Sequence, residues 1–281
     1  MREINVDVVE EAVRSLFMEM NVQIVPDVEA ALRSARAREA SELGRSVLDD
    51  LLENAAIASD ERVPLCQDCG MAILFLEVGQ EIAFVGGSLS EALQRGVRRA
   101  YSEGYLRKSV VADPLFDRKN SGDNTPAIVH VEIVDGGRLR LRATAKGMGS
   151  ENMSAIAMMK AADGPEGVRD FVVDTVRRGG SNPCPPVVVG VGIGGNFERA
   201  PLLAKKALLR SLGSRNGDGR YADLEEEILR AVNGLGIGPA GYGGTTTALA
   251  VQIEFAPTHI AGMPVAVNIC CHACRHGEVV L

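Results

Sequence analysis

The stretch PLCQDCGMAILFLEVG, residues 64–79, joins a Cys66-x-x-Cys69 pair to an apolar run that reads as a buried strand. Gln67 and Asp68 lie between the two cysteines, and Pro64 stiffens the approach. A pair spaced this way can be half of a zinc clip, a redox couple, or one metal ligand beside an unrelated neighbour. The choice depends on the other cysteines, and therefore on the rest of the chain.

The chain has 281 residues, enough for one large domain with a well-buried core. Hydrophobic residues make up 46% and charged residues 24%, the balance of an ordinary globular protein. Aromatics are only 4%, with no Trp, which argues against stacking platforms for single-stranded nucleic acid. A formal net charge of −7 argues against a general polyanion binder, although a local group of Arg and Lys can still hold a small anion. The N-terminal MREINVDVVEEAVRSLFMEM is an acidic amphipathic helix pattern, unlike a secretion signal. No run approaches the roughly 20 apolar residues that span a bilayer. These features predict a cytoplasmic protein with no membrane or nucleic-acid partner, and its six cysteines read as thiols or metal ligands rather than disulfides.

Residues 5–59 carry apolar positions at helical spacing, with Pro26-Asp27 as a helix start. Strands follow at MAILFLEVG and IAFVGG, then a helix over SEALQRGVRRAYSEG capped by Ser88 or Ser90, its arginines facing outward. AIVHVEIV and RLRLRATA alternate in polarity and are joined through Asp135-Gly136-Gly137, which predicts a β-hairpin. SAIAMMKAA and EGVRDFVVDTVRRGG read as helices, the second closed by glycines. The chain then runs strand, glycine turn and helix over CPPVVVGVGIGGNFERAPLLAKKALLRSLG, adds the helix YADLEEEILRAVNGLG, and ends in the strands TTTALAVQIEFAP and MPVAVNICC. No repeat or linker divides it. The expectation is an α+β fold, one domain over residues 1–281, with mixed β-sheets surrounded by helices.

Gly190, Gly192 and Gly195 match G-x-G-x-x-G between a strand and a helix. A dinucleotide site also needs an acidic residue at the end of a second strand about 20 positions later. That region here is SLGSRNGDGRYADLEEE, a loop entering another helix, so a nicotinamide site is not expected. Cys66-x-x-Cys69 and Cys271-x-x-Cys274 together would suit a four-thiolate zinc site in a zinc-stabilised binding protein. That reading leaves Cys184, held in Pro183-Cys-Pro-Pro186, without a role, and this chain is not short of core. The alternative takes one cysteine from each region: Cys66, Cys184 and one of the C-terminal group. Three thiolates on a 4Fe-4S cluster leave one iron open as a Lewis acid.

PLCQDCGMA, LRKSVVADPL, NSGDNTPA, KGMGSENMS, NPCPPVVVGVGIGG, LAKKALLRSLG, GIGPAGYGGTTTALAV and THIAGMPVAVNICCHACRH follow one another along the chain. With these motifs in this order, the chain resembles the alpha subunit of the two-subunit class I fumarate hydratases and tartrate dehydratases, iron–sulfur hydro-lyases. The resemblance covers nearly the whole sequence. It implies a 4Fe-4S cluster held by Cys66, Cys184 and Cys271, the last placed three residues after Asn268 as in that family. The family usually has Thr where this chain has Cys69, and small residues at 270 and 274, so Cys69, Cys270 and Cys274 inherit no role.

By the same resemblance Gln67 and Asp68 contact the substrate, Asp68 also orienting a hydroxyl or a base. Taken alone, the pair would equally suit a capped turn. Arg107 becomes a clamp on a substrate carboxylate, a task suited to its planar fork, and Gly149 offers a backbone N–H. His259, twelve residues before Cys271, stands where the family has an active-site histidine; a neutral imidazole there can donate to a carboxylate or relay a proton. His130 reads as structural, and His272, Arg275 and His276 as a polar tail facing a partner.

The implied reaction is reversible hydration of a small four-carbon dicarboxylate at the open iron. Fumarate is the expected substrate because its hydration belongs to central metabolism, and tartrate, with one more hydroxyl, is the alternative. No residue stands out as the base for the C3 proton. In single-chain relatives that base lies in a further domain, so the resemblance implies a beta subunit completing the site, in a heterotetramer of two alpha and two beta chains. An incompletely ligated iron should also be lost in air.

Overall fold

The computed structural model describes residues 1–281. In chain order the elements are β1 (Arg2–Asn5), α1 (Val6–Val22), α2 (Pro26–Arg38), α3 (Glu42–Glu61), β2 (Met71–Gly79), β3 (Ile82–Val85), α4 (Leu89–Glu103), β4 (Ile128–Val134) and β5 (Leu139–Lys146). They continue with the single turn α5 (Met148–Glu151), then β6 (Ala155–Met159), α6 (Gly164–Gly179), β7 (Val187–Gly195), α7 (Arg199–Ala207), α8 (Gly219–Asn233), β8 (Ala248–Thr258), β9 (Met263–Cys270) and β10 (His276–Val280). The expected α+β architecture with mixed sheets is present. Two compact units are built from these elements: Met1–Val25, Ala55–Met148 and Arg275–Leu281 form the first, and Pro26–Asn54 with Gly149–Cys274 the second.

In the first unit a four-stranded sheet runs β10-β5-β2-β4. β2 is central, parallel to β4 and antiparallel to β5, which suits a strand that is apolar at nearly every position. Ala72, Leu74 and Leu76 of β2 and Leu139, Leu141 and Ala143 of β5 share a core with α1 and α4. Val9, Val13 and Phe17 come from α1, and Leu93, Val97 and Tyr101 from α4. The two helices approach closely at Gly96, where a Cβ would stand 2.7 Å from the Glu10 carbonyl oxygen. Ser88 caps α4 by accepting the Glu91 N–H at 3.4 Å. The outward arginines of α4 are paired: Arg95 with Glu10 at 2.6 Å and Arg98 with Asp123 at 2.7 Å.

The hairpin expected at Asp135-Gly136-Gly137 does not form. β4 and β5 lie on opposite sides of β2, and the glycine turn instead wraps the end of β2. Gln80 N–H donates to the Val134 carbonyl at 2.8 Å, Glu81 N–H to Gly136 at 3.0 Å, and Gly79 N–H to Arg138 at 3.0 Å. A Cβ at Gly79 would stand 2.3 Å from the Gly136 oxygen, so the loop closes only over a glycine. Burying both faces of β2 and bonding both its edges outweighs local hairpin closure. His276, read as part of a polar tail, instead opens HGEVV, the edge strand β10 on β5.

The four-stranded sheet of the second unit has the same pairing pattern, in the order β6-β9-β7-β8, but its edge strand β6 precedes the central strand in the chain whereas β10 comes last. Its central β7 is parallel to β8 and antiparallel to β9, and the β8–β9 link likewise steps over the central strand. Val187, Val189, Val191 and Ile193 pack with Val172 and Val176 of α6 and Ile228 and Val232 of α8. The opposite face of β7 carries Gly190 and Gly192. A Cβ there would meet the carbonyl oxygens of Ala204 at 2.2 Å and Ala200 at 2.0 Å. The glycines of the G-x-G-x-x-G match therefore let α7 lie against the strand, a packing role that needs no dinucleotide. SAIAMMKAA, expected as a helix, contributes β6, antiparallel to β9. A short apolar run has no decisive period of its own, and pairing with β9 settles it.

Candidate active site and its thiols

In the first unit the Cys66–Gly70 turn precedes β2. The Cys66 thiol donates to Gln67 Oε1 at 3.2 Å. Asp68 closes the turn: its Oδ1 accepts the Gly70 N–H at 2.9 Å and its Oδ2 the Met148 N–H at 2.8 Å. Gly70 has φ +75°, and a Cβ would come within 2.7 Å of the Ala145 backbone, so only glycine fits. Asp68 thus keeps the capped-turn role a sequence reading allows, while holding its carboxylate beside the glycine loop.

Cys69 is 1% exposed. Its Sγ accepts the Arg107 N–H at 3.2 Å, and burial pushes its thiol pKa up although that N–H and the Arg275 charge pull the other way. Asn124, fully buried at φ +61°, joins the same two segments. Its Oδ1 accepts the Ser109 and Val110 N–H groups at 2.7 and 3.2 Å, and its Nδ2 donates to the Gly70 carbonyl at 3.1 Å. The Tyr101 hydroxyl reaches the Cys69 carbonyl at 2.7 Å. Arg107, held by its backbone, is exposed, and its guanidinium pairs with no carboxylate.

Arg275, expected in a tail facing a partner, is instead 3% exposed. Its Nη1 donates to Asn21 Oδ1 at 3.0 Å, and its Nε has no partner. A Cβ at Gly147 would lie 3.4 Å from Asp68 Oδ2 and 3.5 Å from Arg275 Nη2, which places this buried cation close to the turn's carboxylate. Arg275, Asn124 and Tyr101 support the predicted residues and were missed from sequence. Asn124 and Arg275 both lie in quoted motifs, NSGDNTPA and THIAGMPVAVNICCHACRH, but nothing in the local sequence marks Arg275 as buried.

In the second unit Cys184 precedes Pro185-Pro186, with φ +55°, a costly backbone for a residue with a side chain. Its carbonyl accepts from the His272 backbone N–H at 3.4 Å and from Nδ1 of the same ring at 3.0 Å. His272 follows Cys271, so two predicted ligands are carried on adjoining segments. Gly149 is exposed with open space around it. Glu151 of that loop takes Lys205 Nζ on both oxygens at 2.5 and 2.6 Å and the Asn268 Nδ2 at 2.9 Å. These groups line a cavity of about 310 Å³, where Asn268 Oδ1 is buried without a partner. His259 is exposed after β8; its Nδ1 accepts the Ala261 N–H at 3.1 Å, which leaves the proton of a neutral ring on Nε2.

Access divides the six cysteines into two sets of three. Cys184 is exposed and Cys66 and Cys271 are half-buried, while Cys69, Cys270 and Cys274 are 1, 3 and 2% exposed. The accessible set is the predicted ligand set. A zinc knot would need Cys69 and Cys274, and both sulfurs are enclosed by protein. No three His, Cys, Asp or Glu side chains stand together as a ready-made metal group. The fit to an iron–sulfur group therefore rests on the donors themselves, three reachable soft thiols. No helix is long and apolar enough to cross a membrane.

Each unit thus carries accessible thiols, Cys66 in the first and Cys184 and Cys271 in the second, and thiolates are soft donors suited to iron. Comparison with known proteins narrows the class: residues 10–280 match the fumarate hydratase (Fumerase) family, and the chain belongs to that family of hydro-lyases. A Methanocaldococcus jannaschii protein provisionally named L(+)-tartrate dehydratase subunit alpha is 42% identical over 273 residues, 95% of each chain. L(+)-tartrate dehydratase subunits alpha of Escherichia coli O157:H7 and Shigella sonnei are each 32% identical over 266 residues, 93% of this chain and 87% of theirs.

Proposed function

We propose that this chain is the alpha subunit of an L(+)-tartrate dehydratase, with residues 1–281 acting as one cluster-binding catalytic domain. The observation that carries this reading is the 42% identity, over 95% of both chains, to a relative provisionally named as that subunit. It replaces fumarate, the substrate expected from sequence, as the first choice. Fumarate hydration stays as the second reading, favoured by the description of the matched family.

Cys66, Cys184 and Cys271 hold a 4Fe-4S cluster, which when bound supplies an open iron as a Lewis acid for the departing hydroxyl. Arg107 binds one carboxylate by two parallel N–H bonds, and the Gly149 N–H adds a neutral donor. Gln67 donates to the substrate, while Asp68 orients a hydroxyl. His259 presents its Nε2 proton to the anion or relays it. The base at C3 comes from a beta subunit, in an assembly of two alpha and two beta chains in the cytoplasm.

Steady-state kinetics of the anaerobically reconstituted alpha–beta enzyme test this. A kcat/KM for L-tartrate at least tenfold above that for fumarate or malate supports the first reading, and the reverse ratio the second. One zinc per chain without sulfide, and no turnover of either substrate, would rule out both.

A further inference from the structure

We propose that Cys69 is a positioning residue whose buried sulfur couples the turn carrying Cys66, Gln67 and Asp68 to the segment that presents Arg107. The inference rests on those residues acting as proposed above, but its structural half is independent of that reading. Cys69 is too enclosed to serve as the second member of a Cys-x-x-Cys metal or redox pair. Its Sγ is instead engaged locally on both sides: it accepts the Arg107 N–H at 3.2 Å and lies 3.7 Å from the Cys66 carbonyl, within reach of S–H donation.

The consequence for Arg107 follows from what else holds it. Its guanidinium has no ion-pair partner, so only the backbone sets where the fork starts. Leu106 anchors one side, its N–H donating to the Tyr101 carbonyl at 3.2 Å. Asn124 anchors the other through Ser109 and Val110. Between these anchors the Arg107 amide has one partner, the Cys69 sulfur. Removing it frees the residue that clamps the substrate and leaves the neighbouring anchors in place. A hydroxyl at position 69 can both accept and donate at the same point, so Cys69→Ser retains the coupling and Cys69→Ala breaks it.

The test uses the anaerobically reconstituted alpha–beta enzyme as wild type, Cys69→Ala and Cys69→Ser, with three readouts. Iron and sulfide per chain are expected to be unchanged in both variants. KM for the dicarboxylate rises about tenfold in Cys69→Ala, the effect of one ordinary hydrogen bond, with kcat within threefold, and Cys69→Ser returns it to near wild type. Hydrogen–deuterium exchange over Leu106–Val110 quickens in Cys69→Ala and is restored in Cys69→Ser. Loss of iron and sulfide in both variants would make Cys69 a ligand and overturn the proposal. So would wild-type exchange in Cys69→Ala, or wild-type KM in an enzyme that turns over. Absence of turnover in the wild type, with the exchange pattern intact, would count against the hydro-lyase reading alone.

Discussion

The Glu39 carboxylate accepts the backbone N–H of Thr246 at 2.8 Å, closing a contact between positions 207 residues apart. It also takes the Thr245 N–H at 2.8 Å, the Thr245 hydroxyl at 3.1 Å and the Ser41 N–H at 2.9 Å. Glu39 is 2% exposed, and a Cβ at Gly244 would stand 2.6 Å from its Oε1. The glycine-rich loop before β8 is thus folded around a buried anion.

That anion makes stability pH-dependent. Burial alone would raise the Glu39 pKa, but the donors prevail and hold it below the ordinary carboxylate value. A lowered folded pKa contributes stability in full above the unfolded value, about 4.3. The contribution is lost as pH falls through the folded value. Glu39→Gln should destabilise the chain by about 1.5–3 kcal/mol at neutral pH and flatten the acid limb of its unfolding profile. Urea unfolding at a series of pH values measures both; an unchanged limb would remove Glu39 from the account.

Gly192→Ala tests the packing role of the glycine turn. Its methyl would meet the Ala200 oxygen at 2.0 Å and the Ala204 nitrogen at 2.5 Å, both backbone atoms that cannot rotate away. A loss of about 3 kcal/mol or more is expected in urea unfolding. Calorimetry with NAD should register no binding to the wild type.

The division of thiols predicts reactivity. In the folded chain before cluster assembly, Cys66, Cys184 and Cys271 should react quickly with an aromatic disulfide reagent. Cys69, Cys270 and Cys274 should react only after denaturation, because access and thiolate fraction set the rate. Stoichiometry and mass mapping of alkylated peptides decide the matter. Fast labelling of Cys69 would contradict its enclosure.

The ion pair of Lys205 and Glu151 predicts a coupled loss. Lys205→Met leaves a mostly enclosed carboxylate without its cation and should cost about 1–3 kcal/mol, less than a fully buried pair would. Glu151 lies two residues from Gly149, so substrate KM should rise as well, and Lys205→Arg should recover most of both. Unchanged KM alongside the stability loss would separate the ion pair from the loop's function.

Much of the chain was legible one element at a time. The periodic helices α1, α4, α6 and α8 and the apolar strands β2 and β7 appear where their residues place them, because amphipathic spacing and continuous apolar runs are local signals. The errors fall where two local solutions were close in energy. Asp135-Gly136-Gly137 suits a hairpin turn, and residues 155–159 suit helix or strand. Partners far along the chain decided both, β2 inserting beside β4 and β9 pairing with β6.

The thiols show the same division. The family resemblance implied Cys66, Cys184 and Cys271 as the ligand set, through the place of Cys271 three residues after Asn268 and the residues usual in that family at 69, 270 and 274. Only the folded chain determined that the other three are enclosed, because burial depends on everything packed around a side chain. Cys69 lies enclosed beneath a turn it helps to hold, and Arg275, whose neighbours in sequence suggest a surface tail, lies buried close to Asp68. Sequence determined which groups this protein carries and the tertiary structure which of them water can reach, because solvation is set by contacts between residues distant along the chain.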